Sequence, residues 1–129
     1  MRLYPPAATL TRKALAPDRI GGLIVPKGAL VVISPYVVHR HRRLWAEPDL
    51  FRPERFLPEN REAIDRFQFI PFGAGPRVCI GLRFAMLEAV IVLAAVLARV
   101  RLDWPERQAV RPVQRVTLRP EPGLVMVRR

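Results

Sequence analysis

One cysteine, Cys79, lies in the run Phe72-Gly73-Ala74-Gly75-Pro76-Arg77-Val78-Cys79-Ile80-Gly81, directly ahead of a long apolar stretch. A thiolate that must approach a large planar cofactor needs such a loop. Glycines at 73, 75 and 81 let the backbone turn through positive φ and lie close to a flat surface, and Pro76 stiffens the turn. Arg77, two residues before the sulfur, supplies a permanent positive charge for an anionic group of that cofactor. A helix beginning near Gly81 would turn its unsatisfied amides and positive dipole end toward the sulfur, which favours thiolate over thiol. The pattern reads as a loop presenting sulfur to a haem iron. The plain alternative is a buried, inert cysteine beside a glycine-rich turn.

Phe72-x-x-Gly75-x-Arg77-x-Cys79-x-Gly81 resembles the haem-binding signature of the cytochromes P-450 at every fixed position. A second box, Phe51-Arg52-Pro53-Glu54-Arg55-Phe56, resembles the aromatic-Pro-Glu-Arg-Phe element that precedes the cysteine in that family. The resemblance extends along essentially the whole chain and implies the C-terminal third of a family member. In the family, the arginine matching Arg55 joins a glutamate and an arginine of an earlier helix in a buried triad, and such a cluster needs full pairing. Leu3-Tyr4-Pro5-Pro6 matches the stretch after that helix and Arg2 matches its arginine. The matching glutamate would lie before Met1. The expectation is therefore a chain that begins inside that helix, with Arg2 and Arg55 lacking their shared carboxylate and the Arg55 loop loosened, unless Glu54 reaches Arg2 instead.

Composition narrows the alternatives. A formal charge of +11 arises from 22 basic residues, all but Lys13 and Lys27 being Arg, against 11 acids. Such a balance raises nucleic-acid binding as a possibility. The arginines are scattered, however, without the aromatic interleaving of a stacking platform, and the expectation is no nucleic-acid partner. The densest cluster, Arg40, Arg42 and Arg43, reads as solvated surface rather than a phosphate site, and part of the overall basic excess would serve an acidic redox partner on the face near the thiolate. A single cysteine excludes an internal disulfide and fits a reducing compartment. The longest apolar run, Ala89 to Ala98, has ten residues, about half a membrane span. These features point to a cytoplasmic protein with no membrane partner.

The elements that must position the sulfur follow from hydrophobic period and chain punctuation. The fold class is α+β, a single partial domain over 1–129. Residues 1–38 read as the end of a helix plus a small mixed or antiparallel sheet. Ala8 to Ala16 forms one strand with Arg12 on a face, Ile20 to Val25 a short strand whose Gly21-Gly22 marks a bulge or a close backbone approach, and Ala29 to Ser34 a buried strand entered through Pro26-Lys27-Gly28. Pro35 to His41 makes a short helical turn. Residues 39–71 form an irregular meander, since Pro48, Pro53 and Pro58 forbid any long helix. After the ligand loop at 72–81, residues 82–101 form one long buried helix, apolar on nearly every side. Its Glu88 is expected to pair with a surface arginine. The tail, 102–129, carries a hairpin of Val116–Leu118 and Leu124–Val127 around Pro120-Glu121-Pro122-Gly123.

The resemblance implies function more sharply than composition does. It makes Cys79 the metal ligand of haem b (iron protoporphyrin IX), with Phe72, Gly75, Arg77 and Gly81 shaping the cofactor-binding loop. Arg12 and His39 match positions that would hold haem carboxylates; a surface role is the alternative for each. Ala7, Ala8, Thr9, Val116 and Thr117 match pocket positions, with plain packing the alternative. The implied activity is monooxygenation, one oxygen atom of O2 entering a small apolar organic substrate. Its electrons would come from a ferredoxin- or flavodoxin-type donor. No residues match the family's acid-threonine helix that activates oxygen, so no catalytic residue is assigned. Two rivals come from other classes: a non-catalytic truncated remnant binding haem weakly or not at all, and a basic nucleic-acid-binding module.

Overall fold

Glycine placement sets the hairpins of the first forty residues. The computed structural model describes residues 1–105 and 108–129, and these divide into two compact units, Met1–Pro71 and Phe72–Arg129. In the first unit, β1 (Leu10–Lys13) pairs antiparallel with β4 (Leu30–Ile33), placing Arg12 opposite Val31. Between them β2 (Asp18–Ile20) and β3 (Leu23–Val25) form a separate antiparallel pair. The expected short strand over 20–25 is thus a hairpin. Gly21 and Gly22 have φ of 54° and 85°, and two successive positive φ values are what a tight two-residue reversal requires. Gly28, at φ 86°, turns the chain into β4, and the Ala29 N–H donates to the Pro26 carbonyl at 3.1 Å.

Two further expectations are corrected here. Met1 to Tyr4 is irregular rather than helical; Pro5 disfavours the α conformation at Tyr4. The β4 run is not buried, since Leu30 and Val32 are 69% and 60% exposed. Its β-branched residues form a strand, but the β1–β4 ribbon has only two strands and its faces stay open.

The helical turn expected after Ser34 is present as α1 (Pro35–Val38). The Ser34 Oγ accepts from the Val37 N–H at 3.3 Å and donates to the Ala8 carbonyl at 2.9 Å, tying the cap to the segment before β1. The meander contains only a 3-10 turn at Pro53–Phe56 and α2 (Pro58–Arg61), each opened by proline at its first position, where the missing N–H has no intrahelical partner anyway. The unit's core gathers Pro5, Ala8, Pro35, His39, Trp45 and Ile70. Phe56 joins Trp45 to Phe69, with ring centroids 6.3 and 4.8 Å apart.

In the second unit, α3 (Leu82–Leu97) follows the ligand loop. The helix was expected to be buried, yet Phe84, Leu87 and Ile91 are 72%, 61% and 57% exposed. Apolar residues lie all round it, so its composition asks for a covering layer on every side; the described residues leave those side chains uncovered. Glu88 is exposed too and makes no ion pair among the described residues. The tail forms two antiparallel pairs: β5 (Leu102–Asp103) with β8 (Val127–Arg128), and β6 (Arg111–Gln114) with β7 (Leu118–Glu121). The hairpin therefore turns at 115–117, not at 120–123. Pro120 lies inside a strand opposite Pro112, which a two-stranded ribbon tolerates because one edge of each strand needs no partner. Among the described residues no helix is long and apolar enough to cross a membrane.

Candidate functional site

The ligand loop is built from its glycines inward. Gly73 and Gly75 take φ of 77° and 72°, conformations in which a side chain would be strained. Gly75–Arg77 then makes one 3-10 turn, and the Val78 N–H closes onto the Gly75 carbonyl at 3.1 Å. The loop is pinned across its base where the Cys79 N–H donates to the Phe72 carbonyl at 2.9 Å. Immediately beyond, the Leu82 N–H donates to the Cys79 carbonyl at 3.2 Å and α3 begins, capped by Gly81. Sulfur, loop and helix start are thus one hydrogen-bonded piece of backbone.

Cys79 is exposed rather than buried. A Cβ added at Gly81 would sit 3.8 Å from the Cys79 Sγ, so any longer side chain there would occupy space beside the sulfur. Phe72 is half-buried at the foot of the loop, and Arg77 is exposed. Among the described residues no group of three or more His, Cys, Asp or Glu side chains could hold a metal ion. A haem iron needs only one axial ligand from such a loop, and an accessible sulfur flanked by glycine suits that demand. The donor set fits haem: Cys79 is the side chain of this loop that could hold the iron, with Phe72, Gly75, Arg77 and Gly81 in the same loop.

The other candidates lie in the first unit. Arg12 is exposed on β1, its guanidinium donating to the Thr11 carbonyl at 2.9 Å. His39 is fully buried. Its Nε2 accepts from the Ile70 N–H at 2.9 Å, so Nδ1 carries the proton and donates to the Arg2 carbonyl at 3.2 Å. Burial pushes its pKa from 6.5 to about 4, with the nearby positive charges of Arg2, the N-terminus and Arg40 acting in the same direction and the hydrogen bond to Arg2 opposing. In this conformation His39 has no nitrogen left for a haem carboxylate. It is a neutral clasp joining residues 2, 39 and 70. Of the matched pocket positions, Ala8 is buried under Ser34, whereas Val116 and Thr117 stand at the tip of the β6–β7 hairpin.

Sequence reasoning missed how Arg2 is held. Its guanidinium donates to the carbonyls of His39, Pro48 and Leu50 at 2.8, 2.6 and 2.8 Å and stacks 5.1 Å from the Trp45 ring. Burial, together with the charges of Arg55 and Arg40, lowers its pKa, opposed by Asp49. Arg55 donates to the Glu47 carbonyl at 3.1 Å, and Arg52 pairs with the Glu47 carboxylate at 2.5 Å. Glu54 does not reach Arg2; main-chain carbonyls hold that arginine instead. The available signal was Trp45 itself, the one tryptophan of the proline-broken segment.

A family profile described as cytochrome P-450 matches residues 1–127. The chain belongs to the cytochrome P-450 family. It is 39% identical to a lithocholate 6-beta-hydroxylase of Mesocricetus auratus over 98% of this chain and 25% of that protein. Cyclooctatin synthase of Streptomyces melanosporofaciens is 41% identical over 96% of this chain and 25% of its own length. Cytochrome P-450 3A40 of Oryzias latipes is 44% identical over 75% of this chain and 19% of its own length. The chain thus spans between a fifth and a quarter of the curated relatives it matches.

Proposed function

We propose that this chain supplies the thiolate-ligand portion of a haem monooxygenase. The carrying observation is the exposed Cys79 in a loop pinned to Phe72 and continued directly into α3. Cys79 ligates the iron through its thiolate. Gly81 leaves the space beside the sulfur open, and Phe72 limits water at the foot of the loop, both of which influence a metal's potential. Arg77 pairs with a haem carboxylate, and Arg12 is the second candidate for that role. When bound, haem b supplies the oxygen-activating chemistry by which one atom of O2 enters an apolar organic substrate. A relative named for 6-beta-hydroxylation of lithocholate supports that reaction class.

Two electrons come from a ferredoxin- or flavodoxin-type donor that docks on basic surface. Ten arginines lie within residues 72–129, a charge excess that steers an acidic partner and weakens with ionic strength. The test is haem titration of the whole chain beside Cys79→Ser. The reading expects saturable haem uptake and a thiolate-type Soret band on reduction under carbon monoxide, both lost in the serine variant. Uptake and bands unchanged by that substitution would sink it. No uptake by the parent chain would favour the non-catalytic remnant.

A further inference from the structure

Residues 69–71, which run straight into the ligand loop, belong to no helix or strand. Their one hydrogen bond among the described residues is made to a side chain: the Ile70 N–H donates to His39 Nε2 at 2.9 Å, across 31 positions of sequence. Ile70 is 7% exposed and His39 fully buried. A buried N–H without an acceptor is unfavourable, so this bond fixes where Ile70 sits. Pro71 then locks its own φ and confines Ile70 to extended conformations. Little freedom remains between the anchored amide and Phe72, whose carbonyl accepts from the Cys79 N–H at 2.9 Å.

We infer that His39 is a positioning residue for the haem-ligand loop: its unprotonated Nε2 holds Ile70 and thereby the chain that delivers Phe72 and Cys79. The inference rests on residues 72–81 being that loop. The rest of the ring is engaged too, since Nδ1–H donates to the Arg2 carbonyl at 3.2 Å and Phe69 packs beside the imidazole with ring centroids 5.2 Å apart. The acceptor nitrogen therefore stays aimed at Ile70. Protonation would put an N–H at Nε2, and a donor cannot accept from the Ile70 N–H. The charged groups around the imidazole are Arg2 and the N-terminus from the opening segment and Arg40 beside it. Arg40 in turn meets Asp49 of the meander at 4.0 Å. Burial, with that positive charge behind it, keeps the ring neutral until pH falls to about 4. The anchor is closed at neutral pH and released in acid.

Amide hydrogen exchange in the intact chain, read without haem, tests the anchor. His39→Gln is the conservative variant: its amide oxygen can accept from Ile70 and its NH2 group can donate to the Arg2 carbonyl, and it does not titrate. His39→Leu fills a similar volume and does neither. Protection of the Ile70 and Cys79 amides should fall roughly tenfold in His39→Leu, about what one lost hydrogen bond implies, and be retained in His39→Gln. The Ala14 amide, bonded to the Ala29 carbonyl at 2.9 Å, reports general loosening and should change less than about threefold. In the parent chain the Ile70 and Cys79 amides should lose protection ahead of Ala14 as pH falls through about 4, whereas His39→Gln keeps it. The acid series covers the case in which His39→Leu fails to fold. Cys79 protection unchanged in a folded His39→Leu, lost only in step with Ala14, or lost in acid by His39→Gln as readily as by the parent would overturn the inference. A chain that takes up no haem would end the proposed function and leave the anchoring of residues 70–79 standing on these amides.

Discussion

The two units use arginine and apolar residues in opposite ways. In residues 1–71 two polar side chains are turned inward: Arg2 is 5% exposed and His39 fully buried, and each is bonded to main chain from distant parts of the unit. In residues 72–129 the apolar groups are turned outward, along a sixteen-residue helix whose large side chains stand mostly in solvent. The first arrangement is a self-contained polar clasp. The second is an exposed cysteine loop continued into a helix with little packing of its own. Stability should therefore depend on the first unit, and chemistry on the second.

Removing the centre of the clasp should have the largest effect. Trp45→Ala takes away a buried ring packed under Arg2 and against Phe56, and should destabilise the first unit by about 3–5 kcal/mol, read as a lower urea midpoint in hydrogen exchange of residues 1–71. A loss under about 1 kcal/mol would deny the clasp its role.

Acid should act on the same unit. The unfolded histidine binds a proton near pH 6.5 and folded His39 only near about 4, so the unfolded state holds more protons between those values. The stability contributed is complete above pH 6.5 and is lost as pH falls toward about 4, a change on the order of 3 kcal/mol. Urea midpoints across that range, followed by exchange in residues 1–71, check it. His39→Phe should flatten the profile, whereas substitution of the exposed His41 should not.

How much of this was legible beforehand depended on how local the cause is. The helix at 82–97, the Pro26–Gly28 turn and the ligand loop rest on neighbouring residues, and the chain punctuation revealed them. Gly21-Gly22 suits a bulge or a close backbone approach as well as a reversal until φ is known. The tail register was misplaced because prolines at 112 and 120 argue against strands, yet pair opposite each other in a ribbon. His39 and Arg2 were least legible of all. Their partners lie 31 to 48 positions away and are backbone atoms, which leave no mark in residue type. The outward face of α3 was misread as buried because composition reports what a helix could bury, not what covers it.

Smaller effects sharpen the contrast. Ser34→Ala removes both the α1 cap and the bond to the Ala8 carbonyl and should lower stability by about 1 kcal/mol, measured by urea unfolding. Phe84→Ala on exposed α3 should change it by less than about 0.5 kcal/mol. A loss of several kcal/mol there would show that the helix is packed in solution and would erase the distinction between the units.

The central claim is that Cys79 binds haem iron, and X-ray absorption at the iron edge of the haem-loaded chain addresses it most directly. A sulfur scatterer in the first coordination shell is expected in the parent chain, replaced by a lighter atom in Cys79→Ser. Only nitrogen and oxygen around iron in the parent chain, or a sulfur that persists in the serine variant, would contradict the account.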